Sequence, residues 1–191
     1  MHSINTRGTF VLTKTCLPYL KKSSNPHVLT MSPPLLMTSK WFENHVAYTM
    51  AKYGMSMCVL GWAGEFKKYG ISVNALWPRT AIATAAVKNH LGGEESIRRS
   101  RKPQILADCA RLILETKSGE ITGNFFIDEQ LLKDNGVTCF KKYLNDPNTK
   151  EEELMDDFYV EWLNNICDLF MQWDNDLKKC IVLKMIKIFQ L

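Results

Sequence analysis

The chain has 191 residues, 46% hydrophobic and 23% charged, which gives room for one globular domain, or one with a small appendage, around an ordinary apolar core. Its net charge of +4 comes from scattered basic doublets and one patch, Arg98, Arg99, Arg101 and Lys102, with no interleaved aromatics, which argues against nucleic acid as a partner. No apolar run approaches the ~18 residues of a membrane span, and the six cysteines form no CxxC and no metal-ligand spacing with histidine, so they read as reduced thiols of an intracellular protein without a metal site.

Residues 5–22 read as a helix with Phe10, Leu12, Leu17 and Leu20 on its apolar side and Lys21-Lys22 at its C-terminal end. Ser23 to Pro26 is a loop, and His27 to Met31 is a short strand ending at Ser32, where Pro33-Pro34 forbids continuation. After a loop carrying Trp41 and Phe42, a long helix covers 45–68, with Ala47, Ala51, Met55, Val59, Leu60 and Ala63 at helical spacing and Gly70 closing it. Ile71 to Trp77 is a second strand, stopped by Pro78. Residues 81–92 suggest a mobile helical segment closed by Gly92-Gly93, 103–116 a further helix, and Ile121 to Ile127 a third strand. Strands alternating with helices predict an α/β fold with a parallel sheet, whose ligands sit at the C-terminal strand ends. Ser32 and Pro78–Thr80 fall there. Asn145 to Asn148 reads as a linker. Glu151 to Gln172 reads as an acidic amphipathic helix with Leu154, Phe158, Trp162, Ile166 and Phe170 every four residues, and 178–191 as a basic apolar segment. The expected domains are therefore 1–140, a linker at 141–150, and a helical tail over 151–191 that packs on the domain or a partner, or lies at a membrane interface.

Tyr48 and Lys52 share a helix face at i, i+4. An ammonium beside a phenol stabilises the phenolate and lowers its pKa, and a serine such as Ser32 can hold a substrate oxygen beside it, so the set suits alcohol–ketone proton transfer. Spacing alone carries little, because 6 Tyr and 18 Lys produce about 0.6 such pairs by chance. The plain alternative is an exposed lysine and a half-buried tyrosine on an ordinary helix. Ser32 can equally cap the loop before Pro33, Asn5 can be a helix N-cap, and Trp41 and Trp77 can be core residues instead of pocket walls. Asn74 reads as structural, satisfying buried backbone beside the strand.

Five segments in order carry a resemblance. Asn5-Thr6-Arg7-Gly8, Ser32 after its strand, Tyr48-Thr49-Met50-Ala51-Lys52, Tyr69-Gly70-Ile71-Ser72-Val73-Asn74-Ala75-Leu76-Trp77-Pro78, and Ile121-Thr122-Gly123-Asn124-Phe125-Phe126-Ile127-Asp128 are similar to successive segments of the short-chain dehydrogenase/reductase family. The resemblance covers residues 3–140 and implies a partial Rossmann-type sheet, the C-terminal three strands of the family's seven, followed by the helical appendage. It implies an NAD(P)-dependent oxidoreductase acting on a hydroxyl or carbonyl of a small apolar, lipid- or steroid-like substrate. The implied catalytic residues are Asn5, Ser32, Tyr48 and Lys52. Tyr48 is the acid/base, Lys52 lowers its pKa and holds the nicotinamide ribose, Ser32 binds the substrate oxygen, and Asn5 kinks its helix and holds a water. The implied cofactor contacts are Tyr48, Lys52, Pro78, Thr80, Ile82 and Thr84, with the 78–82 backbone beside the nicotinamide and Thr80 or Thr84 at the phosphates. Pro78 is followed by Arg79 where the family has glycine, and Arg79 is left open to a phosphate or to solvent.

The family's Gly-rich pyrophosphate turn has no counterpart in this sequence. The expectation is therefore weak or absent binding of NADP or NAD, and an unpaired apolar edge on the first strand. The competing expectation is a non-catalytic truncated form that acts by homo- or hetero-dimerisation through the helices at 5–22 and 45–68, which pair in family members. A lipid-carrier accessory is a third, weaker reading. Relatives imply a mitochondrial or peroxisomal address, although the chain ends Phe189-Gln190-Leu191 and not in a peroxisomal tripeptide.

Overall fold

Three parallel strands, β1 (His27–Met31), β2 (Ser72–Trp77) and β3 (Phe125–Ile127), lie side by side in that order in the computed structural model, which describes residues 1–160. Val28 faces Val73 and Met31 faces Leu76 in one ladder, and Ala75 faces Phe125 in the other. The central β2 is buried at every residue, as a strand covered on both faces must be. Its period of two sends Val73 and Ala75 into a cluster with Val59, Trp62, Ala63, Phe66 and Ile71, while Leu76 joins Ile105, Cys109, Ile113 and Leu132.

The first cluster belongs to helix α2 (Val46–Glu65), flanked by α1 (Thr6–Leu20). The two helices come close because residue 54 is glycine. A Cβ there would meet Thr6 Oγ1 at 2.4 Å, and Thr6 Oγ1 instead donates to the Ala51 carbonyl at 2.9 Å. Past α2, a 3₁₀ turn (Lys67–Tyr69) ends at Gly70 with φ +67°, the left-handed stop expected of that glycine. The second cluster is built on α5 (Gln104–Glu115), reached through two short helices, α3 (Ala85–His90) and α4 (Gly93–Arg98). A seven-residue α6 (Asp128–Asp134) leaves β3 directly.

The three-stranded α/β plan and the long helices agree with expectation. Three details differ. The last strand begins at Phe125 and not Ile121, because residues 121–124 attach to β2 by a mixture of backbone bonds, from the Gly123 N–H to the Val73 carbonyl and from the Ala75 N–H to the Asn124 carbonyl, and side-chain bonds. Asn74 Nδ2 donates to the Ile121 carbonyl at 3.0 Å, the Asn124 N–H donates to Asn74 Oδ1 at 3.1 Å, and the Val73 N–H donates to Thr122 Oγ1 at 3.1 Å. Asn74 is thus the structural residue its position suggested. The segment read as 81–92 is helical only from Ala85, and α4 and α6 were not visible as periodicity because each is too short to show one.

The third difference is the boundary at 140. The compact unit runs from Met1 to Tyr159. Tyr143, Leu144, Thr149 and Tyr159 are buried in it, Leu144 bridges to Arg101, and Asp156 bridges to Thr80. Where an acidic helix was expected from Glu151, one 3₁₀ turn (Glu151–Glu153) gives way to an irregular strap, Met155–Tyr159. Leu154 and Phe158, the described members of the expected spacing of four, lie outside any helix, and Phe158 and Tyr159 pack on the domain. The rest of that expected helix and the basic apolar segment lie outside the described residues.

Candidate active site

The C-terminal ends of the three strands deliver Ser32, Pro78–Thr80 and Asp128 to one edge of the sheet, and the first turns of α2 bring Tyr48 and Lys52 over them. Lys52 Nζ donates to the Met31 carbonyl at 3.3 Å and stands 5.2 Å from the centre of the Trp77 ring. Ser32 is wholly buried. Its Oγ has no hydrogen-bond partner among the described residues, which is costly for a buried hydroxyl unless a ligand or water completes it. Thr80 Oγ1 is buried and without a partner in the same sense.

The strap covers this edge. The Ala81 N–H donates to the Met155 carbonyl at 2.8 Å, the Asp157 N–H to the Arg79 carbonyl at 2.9 Å, and the Trp77 indole N–H to the Phe158 carbonyl at 2.8 Å. Tyr48 lies against Phe158 and Tyr159, nearly parallel to the latter, with ring centroids 6.3 Å apart and an interplanar angle of 16°.

This cover reverses the expected electrostatics. Burial, then the negative charge of Asp157 and the neighbouring Tyr159, push the Tyr48 phenol up to about 12. Burial pushes Lys52 down, with Asp157 partly opposing. The ammonium does not lower the phenol's pKa, because it is directed to the Met31 carbonyl and the Trp77 face, and desolvation penalises both charged forms. Asp157, which no local pattern marked, is itself pushed up to about 6 by burial, with the Phe158 N–H opposing, Asp128 adding and Lys52 opposing.

The other expected site residues divide. Asn5 neither kinks α1 nor caps it with its side chain. Its amide donates to the Met1 carbonyl at 3.2 Å, and its carbonyl accepts from the Thr9 N–H at 3.0 Å like any helical residue. Pro78 is buried just after β2, as expected. Ile82 is a core residue against α5, and Ile82 and Arg101 form a backbone bridge. Thr84 caps α3 by accepting from the Val87 N–H at 3.4 Å. Arg79 is partly exposed. Its guanidinium pairs with Glu129, and its N–H donates to Asp128 Oδ1 at 2.9 Å. Glu129 also holds the buried Arg101 at 3.0 Å, and Glu151 holds it at 2.6 Å. An open cavity of about 590 Å³ borders this ion cluster at Glu129 and Glu151 and includes none of Ser32, Tyr48 or Lys52. Among the described residues no group of three His, Cys, Asp or Glu could hold a metal, and no helix is long and apolar enough to cross a membrane.

Residues 1–128 match the family model described as Enoyl-(Acyl carrier protein) reductase. The chain is 51% identical over 161 residues to hydroxysteroid dehydrogenase-like protein 2 of Xenopus laevis, covering 84% of this chain and 37% of that protein. A putative dehydrogenase from Xanthomonas campestris has a similar solved structure, with a TM-score of 0.78 at 40% identity, covering 84% of this chain and 57% of that one. A short chain dehydrogenase from Mycobacterium thermoresistibile matches at a TM-score of 0.74 and 44% identity, with coverage of 84% and 55%. The chain therefore spans a little over a third of the length of the curated relative it matches. On residues, fold and strand-end site together, it belongs to the short-chain dehydrogenase/reductase family.

Proposed function

We propose that this chain carries the proton-handling part of an NAD(P)-dependent oxidoreductase that interconverts a hydroxyl and a carbonyl on an apolar, lipid- or steroid-like substrate. The observation that carries the reading is the meeting of Ser32, Tyr48 and Lys52 at the C-terminal strand ends, with Ser32 Oγ buried and unpartnered. Thr80 Oγ1, also buried and unpartnered, fits the same reading as a donor toward NADP or NAD. When bound, the nicotinamide supplies or accepts the hydride. In the reducing direction Ser32 holds the carbonyl oxygen and Tyr48 gives that oxygen its phenolic proton. Lys52, whose ammonium is turned to the Met31 carbonyl and the Trp77 ring, is the residue to hold the ribose hydroxyls once the cofactor is bound. With its phenol raised, Tyr48 is protonated at neutral pH but is a weaker acid than an ordinary tyrosine, and oxidation, which needs a phenolate, calls for high pH.

The test is reduction of an apolar ketone by NADPH, with cofactor binding followed by fluorescence. Without a Gly-rich turn for the pyrophosphate, binding is expected to be weaker than micromolar. Tyr48→Phe is expected to leave binding unchanged and to slow reduction by roughly 10²-fold or more. Equal rates in the two proteins would remove Tyr48 from the chemistry.

One observation favours a second reading, dimerisation. The outer faces of α1 and α2 expose Phe10, Leu12, Tyr19, Met50, Met57 and Leu60, between 45% and 73% accessible, more large apolar side chains than a monomer usually presents on two neighbouring helices. Sedimentation velocity at micromolar concentrations decides this: a dimer that Leu60→Glu dissociates supports it, and a monomer excludes it.

A further inference from the structure

Tyr159 is held in a way that suits a ring other than its own. Its side chain is wholly buried among Trp41, Tyr48, Tyr53 and Trp77, with centroids 5.3–6.3 Å away, and it shares a 2.8 Å hydrogen bond with Thr49 Oγ1. Its backbone has φ +65°, a left-handed conformation that a bulky residue adopts only where surrounding contacts hold it. The four residues before it are fixed by four hydrogen bonds, to Trp77, Arg79, Ala81 and Arg99. This is the stretch that the oxidoreductase reading assigns to the nicotinamide, so strap and ring ligand would use the same backbone groups and the same aromatic faces.

We propose that the strap Met155–Tyr159 is an autoinhibitory closure, with Tyr159 filling the aromatic slot beside Tyr48, and that a nicotinamide-bearing ligand enters by displacing it. The proposal rests on the oxidoreductase reading for the nature of the ligand. The strap is suited to move as a unit. It crosses the sheet edge without belonging to the sheet, its strained end relaxes on release, and β2 keeps its pairing to β1 and β3 when the strap leaves. Release also exposes Tyr48 and frees the Arg79 carbonyl and the Ala81 N–H.

The experiment compares the full chain with Tyr159→Ala and Tyr159→Phe by amide hydrogen exchange, by phenol titration (read as the difference from Tyr48→Phe in each background) and by NADPH titration. In Tyr159→Ala the Ala81 and Asp157 amides should exchange at least tenfold faster while Val73 and Ala75 keep their protection. The Tyr48 phenol should titrate closer to 10 than to 12, and NADPH should bind at least fivefold more tightly than to the parent. Tyr159→Phe, which loses only the Thr49 contact, should move each readout the same way by less, and it carries the test if the alanine variant fails to fold. An unchanged Tyr48 titration overturns the closure. NADPH binding that is measurable and equal in all forms also overturns it while leaving the oxidoreductase reading intact. A Tyr48 uncovered in the variants with no NADPH binding in any form overturns both, and so separates failure of the reading from failure of the closure alone.

Discussion

Helix α2 and the strap Met155–Tyr159 meet over the same strand ends, yet they are made differently. In α2, twenty residues bond to neighbours four positions away, and the side chains that matter follow from the helical period. In the strap, each fixing contact joins residues far apart in the chain. Trp77 reaches Phe158 across 81 positions, and Thr49 reaches Tyr159 across 110. The helix decides where Tyr48 and Lys52 stand. The strap bears on their titration, since Phe158 and Tyr159 lie against Tyr48 and the Asp157 carboxylate adds to burial in raising the phenol. Placement in this site is local, and electrostatics is not.

The contrast breaks most completely where both elements share a foundation. Leu76 is wholly buried in β2, beneath the segment that holds the strap and beside the strand packed on α2. Leu76→Ala should cost ~2–5 kcal/mol through lost burial and a residual cavity, and urea melts followed by α2 helicity and by strap fluorescence should shift together. Gly54→Ala acts on the contact of α2 with α1, away from the strap. The new methyl would sit within 3.0 Å of three Thr6 side-chain atoms, so the clash should exceed the ~1 kcal/mol gain in helix propensity and leave a net loss of ~1–2 kcal/mol. Thr6→Ala in the same background should recover part of that loss in a thermal melt.

This division also explains what could be read beforehand. The sheet and α5 rest on hydrophobic periods long enough to recognise, α1 and α2 are recognisable as helices although Phe10, Leu12 and Leu60 of their apolar spacing face outward, and Ser32, Tyr48 and Lys52 take their places from positions on those elements. Asn5 follows from the resemblance of Asn5-Thr6-Arg7-Gly8, but its side chain turns back to the Met1 carbonyl, ahead of α1. Ile82 and Thr84 were placed beside the cofactor because they follow Pro78, yet the chain bends there into a bridge with Arg101 and a helix cap. Asp157 could not be found. Asp156-Asp157-Phe158-Tyr159 reads as the polar and apolar sides of a helix until a bridge between Asp156 and Thr80, 76 positions away, flattens it. The expected lowering of the Tyr48 pKa failed for the same reason, since the missing factor was distant burial.

Asp157→Asn sharpens the contrast by removing the strap's charge and keeping its shape, because an asparagine Oδ1 can still accept from the Phe158 N–H, which the aspartate holds at 2.6 Å. Asp157 titrates near 6 in the fold against about 3.8 unfolded. A raised folded pKa means that the native state binds the proton more tightly, so this group's favourable contribution is complete below about 3.8 and is lost as pH rises through about 6. Asp157→Asn should therefore match the parent near pH 3.5 and be more stable at pH 7.5 by ~1–2 kcal/mol, after allowance for partial exposure. Urea unfolding at the two pH values measures this. A gain of equal size at both would mean that the charge is not the cause.

The smallest expected effect separates the two elements most cleanly. Thr49 lies on α2 and is wholly buried, and its Oγ1 joins the Tyr159 hydroxyl and the Trp41 carbonyl. Thr49→Val keeps the β-branched shape and removes only the hydroxyl, leaving the buried Tyr159 hydroxyl short of a partner while the part-buried Trp41 carbonyl can turn to water. The cost should be about 1 kcal/mol. It should fall where the lost bond was, because α2 keeps its own ladder and its packing on β2. Amide exchange is expected to quicken several-fold at Asp157 and Ala81, with Ala51, Val59 and Val73 unchanged. A uniform acceleration across α2 would mean that strap and helix form one cooperative unit, and that the local and long-range parts of this site cannot be loosened separately.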